Sequence, residues 1–143
     1  MEISSLYQLF LSAGKVSTDS RKIEPGCLFF ALRGDNFNGN QYALAALEKG
    51  ASFAIVDDPG LANHAQCIVV DDALKTLQDL ARYHRRQLHI PIIAITGSNG
   101  KTTTKELVMS VLSQKYITYA TEGNLNNHIG VPLTILKIKM DAE

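Results

Sequence analysis

The sequence has no excess of charge of either sign and no long hydrophobic run. Its 14 basic and 14 acidic residues give a formal net charge of zero, which argues against a surface that binds nucleic acid or another polyanion in general. No apolar run approaches the roughly 20 residues of a membrane-spanning helix. The N-terminal residues lack a basic segment followed by an apolar core, so they do not form a secretory signal peptide.

Cysteine is scarce, and neither cysteine belongs to a metal-binding pattern. Cys27 and Cys67 each lie in an apolar run, and their spacing fits no metal site. We expect both to be small buried thiols, and nothing in their number requires an oxidising compartment. The 143 residues are 45% hydrophobic and 20% charged, the composition of a globular protein with a core. These observations predict a soluble, cytoplasmic protein.

The most informative stretch is residues 96–104, T-G-S-N-G-K-T-T-T. The apolar residues 92–96 predict a strand, and residues from about 101 to 113 predict a helix. A strand, a glycine-bearing turn and a helix that begins with Lys-Thr form a cradle for phosphate. Lys101 would reach the terminal phosphates of a nucleotide. The Thr102 hydroxyl would bind a phosphate-bound Mg²⁺, a cation that prefers oxygen ligands.

This stretch departs from the general phosphate-loop pattern. That pattern places a glycine five positions before Gly100, where this sequence has Ile95, so the loop is the shorter G-x-x-G-K-T. The alternative interpretation is a glycine-rich turn that carries Lys and Thr by chance. A dinucleotide-binding fold is favoured less, because Gly97 and Gly100 do not supply its G-x-G-x-x-G fingerprint.

Predicted helices and strands alternate along the chain, with Pro91 as a plausible boundary. Before Pro91, helices are expected at residues 4–12 and 42–49 and after a cap at Asp71 or Asp72, and strands are expected from residue 15 and at 27–32, 53–56 and 67–70. Residues 33–40 are expected to form a polar loop. His84 and His89 are expected at the core edge and on the surface.

After Pro91 the pattern predicts the opening of a second domain. We expect a strand at 116–120, a polar turn at 121–128 and a helix over 131–138. The chain is therefore predicted to be an α/β protein with a small N-terminal α/β module at residues 1–88. Residues 89–143 would be the opening strand, P-loop and helix of a P-loop ATPase-like central domain. Because two strands and two helices cannot cover a buried sheet on both faces, we expect the sequence to be the N-terminal piece of a longer protein.

Four segments together resemble one family, the Mur ligases of peptidoglycan synthesis. The first combines S-T-D-S-R at residues 17–21 with P-G-C-L-F-F-A-L at 25–32, and the second runs from Asp35 through Tyr42 to Gly50. The third is residues 96–106, and the fourth is G-N-L-N-N-H-I-G-V-P-L-T at residues 123–134. Within the family, the third and fourth resemble the branch that adds D-alanyl-D-alanine to UDP-N-acetylmuramoyl-tripeptide.

The resemblance implies an ATP-dependent peptide ligase with three domains. They would bind the UDP-sugar substrate, ATP and the incoming amino compound. ATP would phosphorylate the tripeptide carboxylate, and the amine of D-alanyl-D-alanine would attack the acyl phosphate. ATP and Mg²⁺ are the implied cofactors, and the full-length enzyme is expected to be a monomer.

The resemblance also implies roles for individual residues. The ATP loop would comprise Thr96, Gly97, Ser98, Asn99, Gly100, Lys101, Thr102 and Thr103, with Lys101 catalytic and Thr102 the metal ligand. The substrate would lie near Thr18, Asp19, Ser20, Arg21, Asn126 and Asn127. The alternative for Asp19 and Arg21 is a hydrogen bond that shapes a turn, and for the two asparagines it is turn chemistry. Where the family commonly has D-G-H-x-F, residues 38–42 are N-G-N-Q-Y, so the family histidine is absent.

Two other functions stay open from the sequence. One is a related enzyme that uses the same loop, such as the Mur ligase that adds the third amino acid or a folate polyglutamylating enzyme. The other is a module that holds a UDP-sugar or a nucleotide without catalysis. The segment at residues 123–134 weighs against both related enzymes.

We expect the 143-residue chain by itself to have no ligase activity. The acceptor-binding residues and the adenine pocket that the resemblance implies are incomplete in it. An assay of ATP turnover with the UDP-tripeptide and D-alanyl-D-alanine tests this. Product formation by the chain alone would contradict the expectation.

Overall fold

A computed structural model of the protein describes residues 1–123 and 125–143. These residues form two compact units, Met1–Tyr83 and His84–Glu143. Asn124, which belongs to the polar turn predicted at 121–128, lies outside the described residues. The functional division predicted after residue 88 stays a prediction.

The first unit contains a four-stranded parallel sheet. The unit has six strands in the following chain order: β1 (Val16–Ser17), β2 (Leu28–Phe30), β3 (Arg33–Gly34), β4 (Phe37–Asn38), β5 (Phe53–Val56) and β6 (Cys67–Val69). The sheet has the order β1-β2-β5-β6, and β3 and β4 form a separate antiparallel pair. In the register of the central strands, Phe29 lies opposite Ala54. An all-parallel sheet needs cover on both faces, and its central strands β2 and β5 are accordingly apolar throughout.

Helices supply buried residues for both faces of this sheet. On one face, Phe29 and Val56 pack in a cluster with Ala43 and Ala46 of α2 (Ala43–Glu48). The small alanines allow the helix to approach the strands closely. Successive strand residues point to opposite faces, so the buried Leu28, Phe30 and Ile55 belong to the other face. Buried side chains also come from α1 (Ile3–Ala13) and α3 (Ala73–Gln87), among them Leu6, Phe10, Leu77 and Leu80.

The predicted elements of the first unit are largely confirmed. The expected helix at 4–12 is α1, and it ends at Gly14, whose φ of 67° is left-handed. The predicted strand at 53–56 is β5, and the expected strand at 27–32 is shorter, Leu28–Phe30. Cys27 is buried as predicted, whereas Cys67 is only partly buried. The physical reason is that Cys67 lies on β6, which is an edge strand of the sheet.

The polar loop predicted at 33–40 is more ordered than expected. Arg33 pairs with Asn38 and Gly34 with Phe37, which makes β3 and β4 a hairpin with a two-residue loop. A 3₁₀ helix at Gly39–Tyr42 follows. A Cβ on Gly39 would lie 2.5 Å from the Leu32 carbonyl oxygen, so only glycine fits there. The short strands show no alternation of apolar and polar residues, and the sequence therefore did not reveal them.

Asp57, at the end of β5, links this hairpin to the sheet. Its Oδ1 accepts hydrogen bonds from Asn40 Nδ2 at 2.7 Å and Arg33 Nε at 2.6 Å. The Asp57 N–H donates to Asn40 Oδ1 at 3.1 Å. Burial of the carboxyl group opposes its ionisation, but the hydrogen bonds from Asn40 and Arg33 outweigh burial and lower the pKa of Asp57. Asn40, which stands at the place of the family histidine, thus holds the hairpin on the sheet.

The second unit contains α4 (Lys101–Leu112) and α5 (Gly130–Lys137), which confirms both predicted helices. Its buried apolar residues include Leu136 and Ile138. His84 is 2% exposed, and its Nε2 lies 2.7 Å from the Ile138 carbonyl oxygen. His84 is therefore fully buried rather than at the core edge, while His89 is exposed as predicted.

The two strands predicted in the second unit are wrong for this structure. In the described part of the chain, neither 92–96 nor 116–120 belongs to a sheet. Ile117 is held instead by Glu143, whose N–H donates to the Ile117 carbonyl at 3.1 Å. An apolar, β-branched run favours a strand, but only pairing with a second backbone makes one.

None of the helices in residues 1–123 and 125–143 has both the length and the hydrophobicity that a membrane crossing requires.

We predict that Asn40→Ala lowers the free energy of unfolding of the chain by about 1–3 kcal/mol, because Asp57 loses a hydrogen-bond partner in a largely buried place. Urea unfolding at neutral pH measures this change. Asn36→Ala, an exposed substitution in the same hairpin, is the control and should stay within about 0.5 kcal/mol of the wild type. Equal unfolding midpoints for the two variants would contradict the role given to Asn40.

Candidate functional site

The glycine-bearing loop lies directly before α4, as the sequence predicts. Gly97 has a φ of 148° and Gly100 a φ of 77°, values that favour glycine over residues with a side chain. Gly100 is the residue at the N-cap of α4, and its carbonyl accepts the first helical hydrogen bond from the Thr104 N–H at 2.8 Å. The two glycines thus allow the chain to turn into the helix, and the loop residues 96–100 stay exposed to solvent.

The start of α4 favours the binding of an anion. The first N–H groups of a helix have no acceptor within the helix, and the helix dipole places partial positive charge there. No acidic residue occupies the first turn of α4 to neutralise that charge. Residues 96–100 and 102–104 are all exposed. The loop and the first turn of α4 therefore present N–H groups and the hydroxyls of Thr102 and Thr103 to solvent.

Lys101 folds back along the loop. Its Nζ donates hydrogen bonds to the carbonyl oxygens of Gly97 and, at 3.4 Å, Ser98. The ammonium group thus lies over the same loop whose N–H groups would meet an anion. These contacts are with neutral carbonyls, and a phosphate would be a stronger partner because hydrogen bonds between charged groups are about twice as strong.

The residues at 18–21 form a compact polar turn after β1. Asp19 receives hydrogen bonds from Arg21 Nε and NH2, both at 2.9 Å, and from the Arg21 backbone N–H at 3.0 Å. The hydrogen bond from the Arg21 side chain is the largest cause that lowers the pKa of Asp19 to about 2. The Ser20 carbonyl accepts from Lys49 Nζ at 2.8 Å. The turn-shaping alternative for Asp19 and Arg21 therefore describes what these side chains do here.

The two asparagines near α5 differ in their contacts. Asn127 Oδ1 accepts hydrogen bonds from the N–H groups of Ile129 at 3.1 Å and Gly130 at 2.7 Å. Its oxygen thus caps the start of α5, which is the turn chemistry that the sequence left open for it. Asn126 is exposed. Gly130 is buried, and a Cβ there would lie 2.7 Å from the Leu125 side chain.

Lys105, which the sequence did not indicate as a site residue, connects α4 to the segment before these asparagines. Its Nζ donates to the carbonyl oxygens of Thr121 at 2.6 Å and Gly123 at 2.9 Å. The only available signal was its place in both the T-T-T-K-E motif and the first turns of a predicted helix, and a lysine in such a place usually faces solvent. The other predicted site residues lie in two groups, with 18–21 in the first unit and the rest in the second.

The described residues offer few metal ligands. Within residues 1–123 and 125–143, no three side chains of His, Cys, Asp or Glu are grouped so that they could hold a metal ion. Oxygen donors of the kind that Mg²⁺ prefers are nevertheless present at the start of α4, in the exposed hydroxyls of Thr102 and Thr103. A cation that is bound mainly by phosphate oxygens and water needs only one or two such protein ligands.

The chain is an α/β protein, and a glycine turn that leads into a helix with Lys-Thr at its start is typical of proteins that bind phosphate. Comparison with known families narrows this class. Residues 13–96 match the Mur ligase family, catalytic domain, and residues 95–143 match the Mur ligase middle domain. The chain belongs to the Mur ligase family.

Two curated relatives share one name. The UDP-N-acetylmuramoyl-tripeptide–D-alanyl-D-alanine ligase of Bacillus subtilis is 42% identical over 130 residues, which are 90% of this chain and 28% of the relative. The enzyme of the same name from Escherichia coli is 44% identical over 123 residues, 86% of this chain and 27% of the relative. The chain thus spans less than a third of the length of these relatives.

Solved structures agree with these sequence matches. A crystal structure of MurF from Acinetobacter baumannii has a TM-score of 0.83 and 34% identity, and the match covers 98% of this chain and 33% of that one. The MurF ligase of Thermotoga maritima in complex with ADP has a TM-score of 0.78 and 32% identity, over 89% of this chain and 29% of that one. The α/β fold predicted from the sequence is therefore confirmed.

We predict that the Asp19 carboxyl group titrates with a pKa of about 2, and that Arg21→Gln moves this pKa toward the ordinary 3.8. NMR of the side-chain carboxyl carbon against pH measures both values. Because the folded-state pKa is lowered, the stability that the ion pair contributes is present above the unfolded-state pKa and is lost as the pH falls toward 2.

Lys22→Gln is the matched control for this titration. It removes a positive charge next to Arg21 that acts on Asp19 only through space. It should move the Asp19 pKa less than Arg21→Gln does. A larger effect of Lys22→Gln, or an ordinary pKa in the wild type, would show that the Asp19–Arg21 hydrogen bonds do not shape this turn.

Proposed function

We propose that the protein carrying this chain is an ATP-dependent ligase that adds D-alanyl-D-alanine to UDP-N-acetylmuramoyl-tripeptide in peptidoglycan precursor synthesis. The observation that carries the proposal is the left-handed Gly97 and Gly100 turn, with Lys101 and Thr102 at the start of α4, in a chain of the Mur ligase family. The name that these two relatives share supports UDP-N-acetylmuramoyl-tripeptide and D-alanyl-D-alanine as the substrates that are joined. The chain would contribute UDP-sugar binding in residues 1–88 and the opening of the ATP-binding domain in residues 89–143.

The loop at residues 96–103 would bind the phosphates of ATP. Three features of the loop support this role: its residues are exposed, the helix start has no acidic residue, and the Lys101 ammonium group lies beside the loop carbonyls. Lys101 would exchange the Gly97 and Ser98 carbonyls for the β- and γ-phosphates of ATP. Its flexible side chain and single positive charge suit that exchange. The ADP complex of the Thermotoga maritima relative is consistent with a nucleotide site in this family.

Thr102 would be the protein ligand of a magnesium ion, with Thr103 as a second hydroxyl nearby. When bound, the ion would offset phosphate charge and favour attack by an anion. Thr102 would orient its hydroxyl oxygen from the first turn of α4, where its backbone is fixed by the helix. We propose only this one ligand from the described residues.

The reaction would couple two bond changes. A carboxylate is a poor electrophile, so a tripeptide carboxylate oxygen would attack the γ-phosphorus of ATP, and the bond to the β–γ bridging oxygen would break to give an acyl phosphate and ADP. The amine of D-alanyl-D-alanine would then attack the carbonyl carbon, lose a proton and displace inorganic phosphate. Lys101 would stabilise the charge that builds up between the two anions in the first step.

The UDP-sugar end of the substrate would bind near residues 18–21. Since Asp19 and Arg21 pair with each other, the hydroxyl groups of Thr18 and Ser20 are the available hydrogen-bonding groups, and the exposed Arg21 guanidinium would add a charge at the edge. Asn126 and the amide nitrogen of Asn127 would face the tripeptide. We also propose a monomer in the cytoplasm, the compartment that supplies ATP.

Phosphate release by a protein that carries this chain at the length of its relatives tests the function. It is measured with UDP-N-acetylmuramoyl-tripeptide, ATP, Mg²⁺ and D-alanyl-D-alanine, and with the dipeptide omitted or replaced by single amino acids. Release that depends on the dipeptide is expected. Release with a free amino acid and a UDP-dipeptide would assign the chain to the ligase that adds the third amino acid. Nucleotide binding without release under any condition would support a binding module and contradict the proposal.

We predict that Lys101→Ala in that protein lowers kcat by at least about 100-fold, because the transition-state charge loses a positioned cation. Its thermal unfolding midpoint should stay near the wild-type value, since the ammonium group contacts only carbonyls of an exposed loop. Lys115→Ala, which removes an exposed lysine after the end of α4, is the control and should leave kcat unchanged. Near-normal turnover by Lys101→Ala would remove the phosphate-loop assignment.

A further inference from the structure

Lys105 on α4 has a largely enclosed side chain. Its side chain is 14% exposed, whereas a lysine on a helix surface is ordinarily solvated. Nζ contacts three oxygen atoms, namely the Thr121 carbonyl at 2.6 Å, the Gly123 carbonyl at 2.9 Å and Glu106 Oε1 at 2.9 Å. Two of these contacts are hydrogen bonds to backbone carbonyls, and the third is an ion pair with the neighbouring Glu106.

The place of Lys105 on α4 relates it to the phosphate loop. It follows Lys101 by four residues, and side chains four apart lie on the same side of a helix. Lys101 turns toward the loop and Lys105 toward residues 121–123. One side of α4 thus carries both Lys101, which is proposed to bind the nucleotide, and Lys105, which contacts the segment that leads to Asn126 and Asn127.

Two further contacts of this region involve α5. Asn127 Oδ1 caps α5, and Lys137 Nζ of α5 bonds Glu122 Oε1 at 2.6 Å. The Lys137–Glu122 pair differs from the Lys105 contacts in exposure, with side chains that are 57% and 68% exposed. Solvent-exposed pairs contribute little stability or positional restraint. Among the described contacts of residues 121–123 with a lysine, those of Lys105 are therefore the restraining ones.

We infer that Lys105 is a positioning residue that sets the distance between the phosphate loop and the segment carrying Asn126 and Asn127. The inference rests on the proposed function, in which the loop holds ATP and the asparagines face the tripeptide. Lys105 touches neither ATP nor the tripeptide. It acts through the backbone of Thr121 and Gly123, so its loss would misplace one reactant relative to the other without removing either binding site.

The experiment compares Lys105→Met, Lys105→Arg and Lys137→Met with the wild type, in the protein at the length of its relatives. Methionine keeps the length and apolar stem of lysine but cannot donate to the carbonyls. We expect Lys105→Met to lower kcat by about 10- to 100-fold, the effect of misplacing reactants by about an ångström. The dissociation constant of ATP, measured by titration, should stay at the wild-type value. Lys105→Arg should restore part of kcat, because guanidinium can donate to both carbonyls.

Lys137→Met is the matched control. It removes the same charge from a lysine that also contacts residues 121–123, but through the exposed pair with Glu122, and kcat should not change. A kcat of Lys105→Met equal to that of Lys137→Met would overturn the inference. So would a parallel loss of kcat, ATP affinity and thermal stability that Lys105→Arg does not rescue, because a purely structural role would produce it.

Amide hydrogen exchange without ligands separates this inference from the proposed function. In Lys105→Met, the amides of residues 121–123 and 125–127 should exchange faster than in the wild type and in Lys137→Met, whatever reaction the protein catalyses. Unchanged exchange would overturn the positioning role even if the ligase reaction is found. Absence of phosphate release by the wild type, together with faster exchange in Lys105→Met, would reject the proposed function and retain the link between α4 and residues 121–123.

Discussion

The parallel pairing of β2 with β5 is the constraint on which the first unit depends. Residues Leu28–Phe30 and Phe53–Val56 lie at the centre of the sheet, and six of these seven residues are no more than 1% exposed. Pairing two parallel strands requires a long crossover, which here contains the hairpin, the 3₁₀ helix and α2. The hairpin, the 3₁₀ helix and α2 must together return the chain to β5 in the register that pairs it with β2. The alanines of α2 and the glycine at position 39 make this possible, because both allow close backbone approach.

A polar cluster stands at the carboxyl end of the same strands. Asp57 follows β5, and it holds Arg33 and Asn40 from the crossover. A carboxylate in a largely buried place is costly unless it is paired and hydrogen-bonded, and these two partners meet that need. The cluster therefore fixes the hairpin in one position at the carboxyl end of β5. In parallel α/β sheets ligands bind beyond the carboxyl ends of the strands, so the ordering of a polar hairpin there is consistent with the proposed binding of a UDP-sugar by this unit.

The second unit relies on polar contacts with the backbone more than on a core. α4, which is described along its whole length, has no buried residue, and Leu107 and Val111 are 63% and 70% exposed. Lys101, Lys105 and Asn127 each bond backbone groups of a loop or a helix start. Such contacts are directional, and they position chain segments although little apolar surface of α4 is buried.

The sequence by itself determined the elements that depend on local chemistry. Glycine at positions 14, 97 and 100 indicated turns because a positive φ is costly for other residues, and apolar periodicity indicated α1, α4 and the strand at 53–56. The loop at 96–103 and the Mur ligase resemblance were also available from residue types in order. Tertiary structure alone decided which apolar runs became strands, since residues 92–96 and 116–120 have strand composition but pair with no strand in the described chain. It also decided that Asn40 and Lys105 hold backbone and carboxylate groups rather than face solvent. Those roles depend on groups distant in the sequence, Asp57 for one and Thr121 with Gly123 for the other, and only folding brings such groups within hydrogen-bond distance.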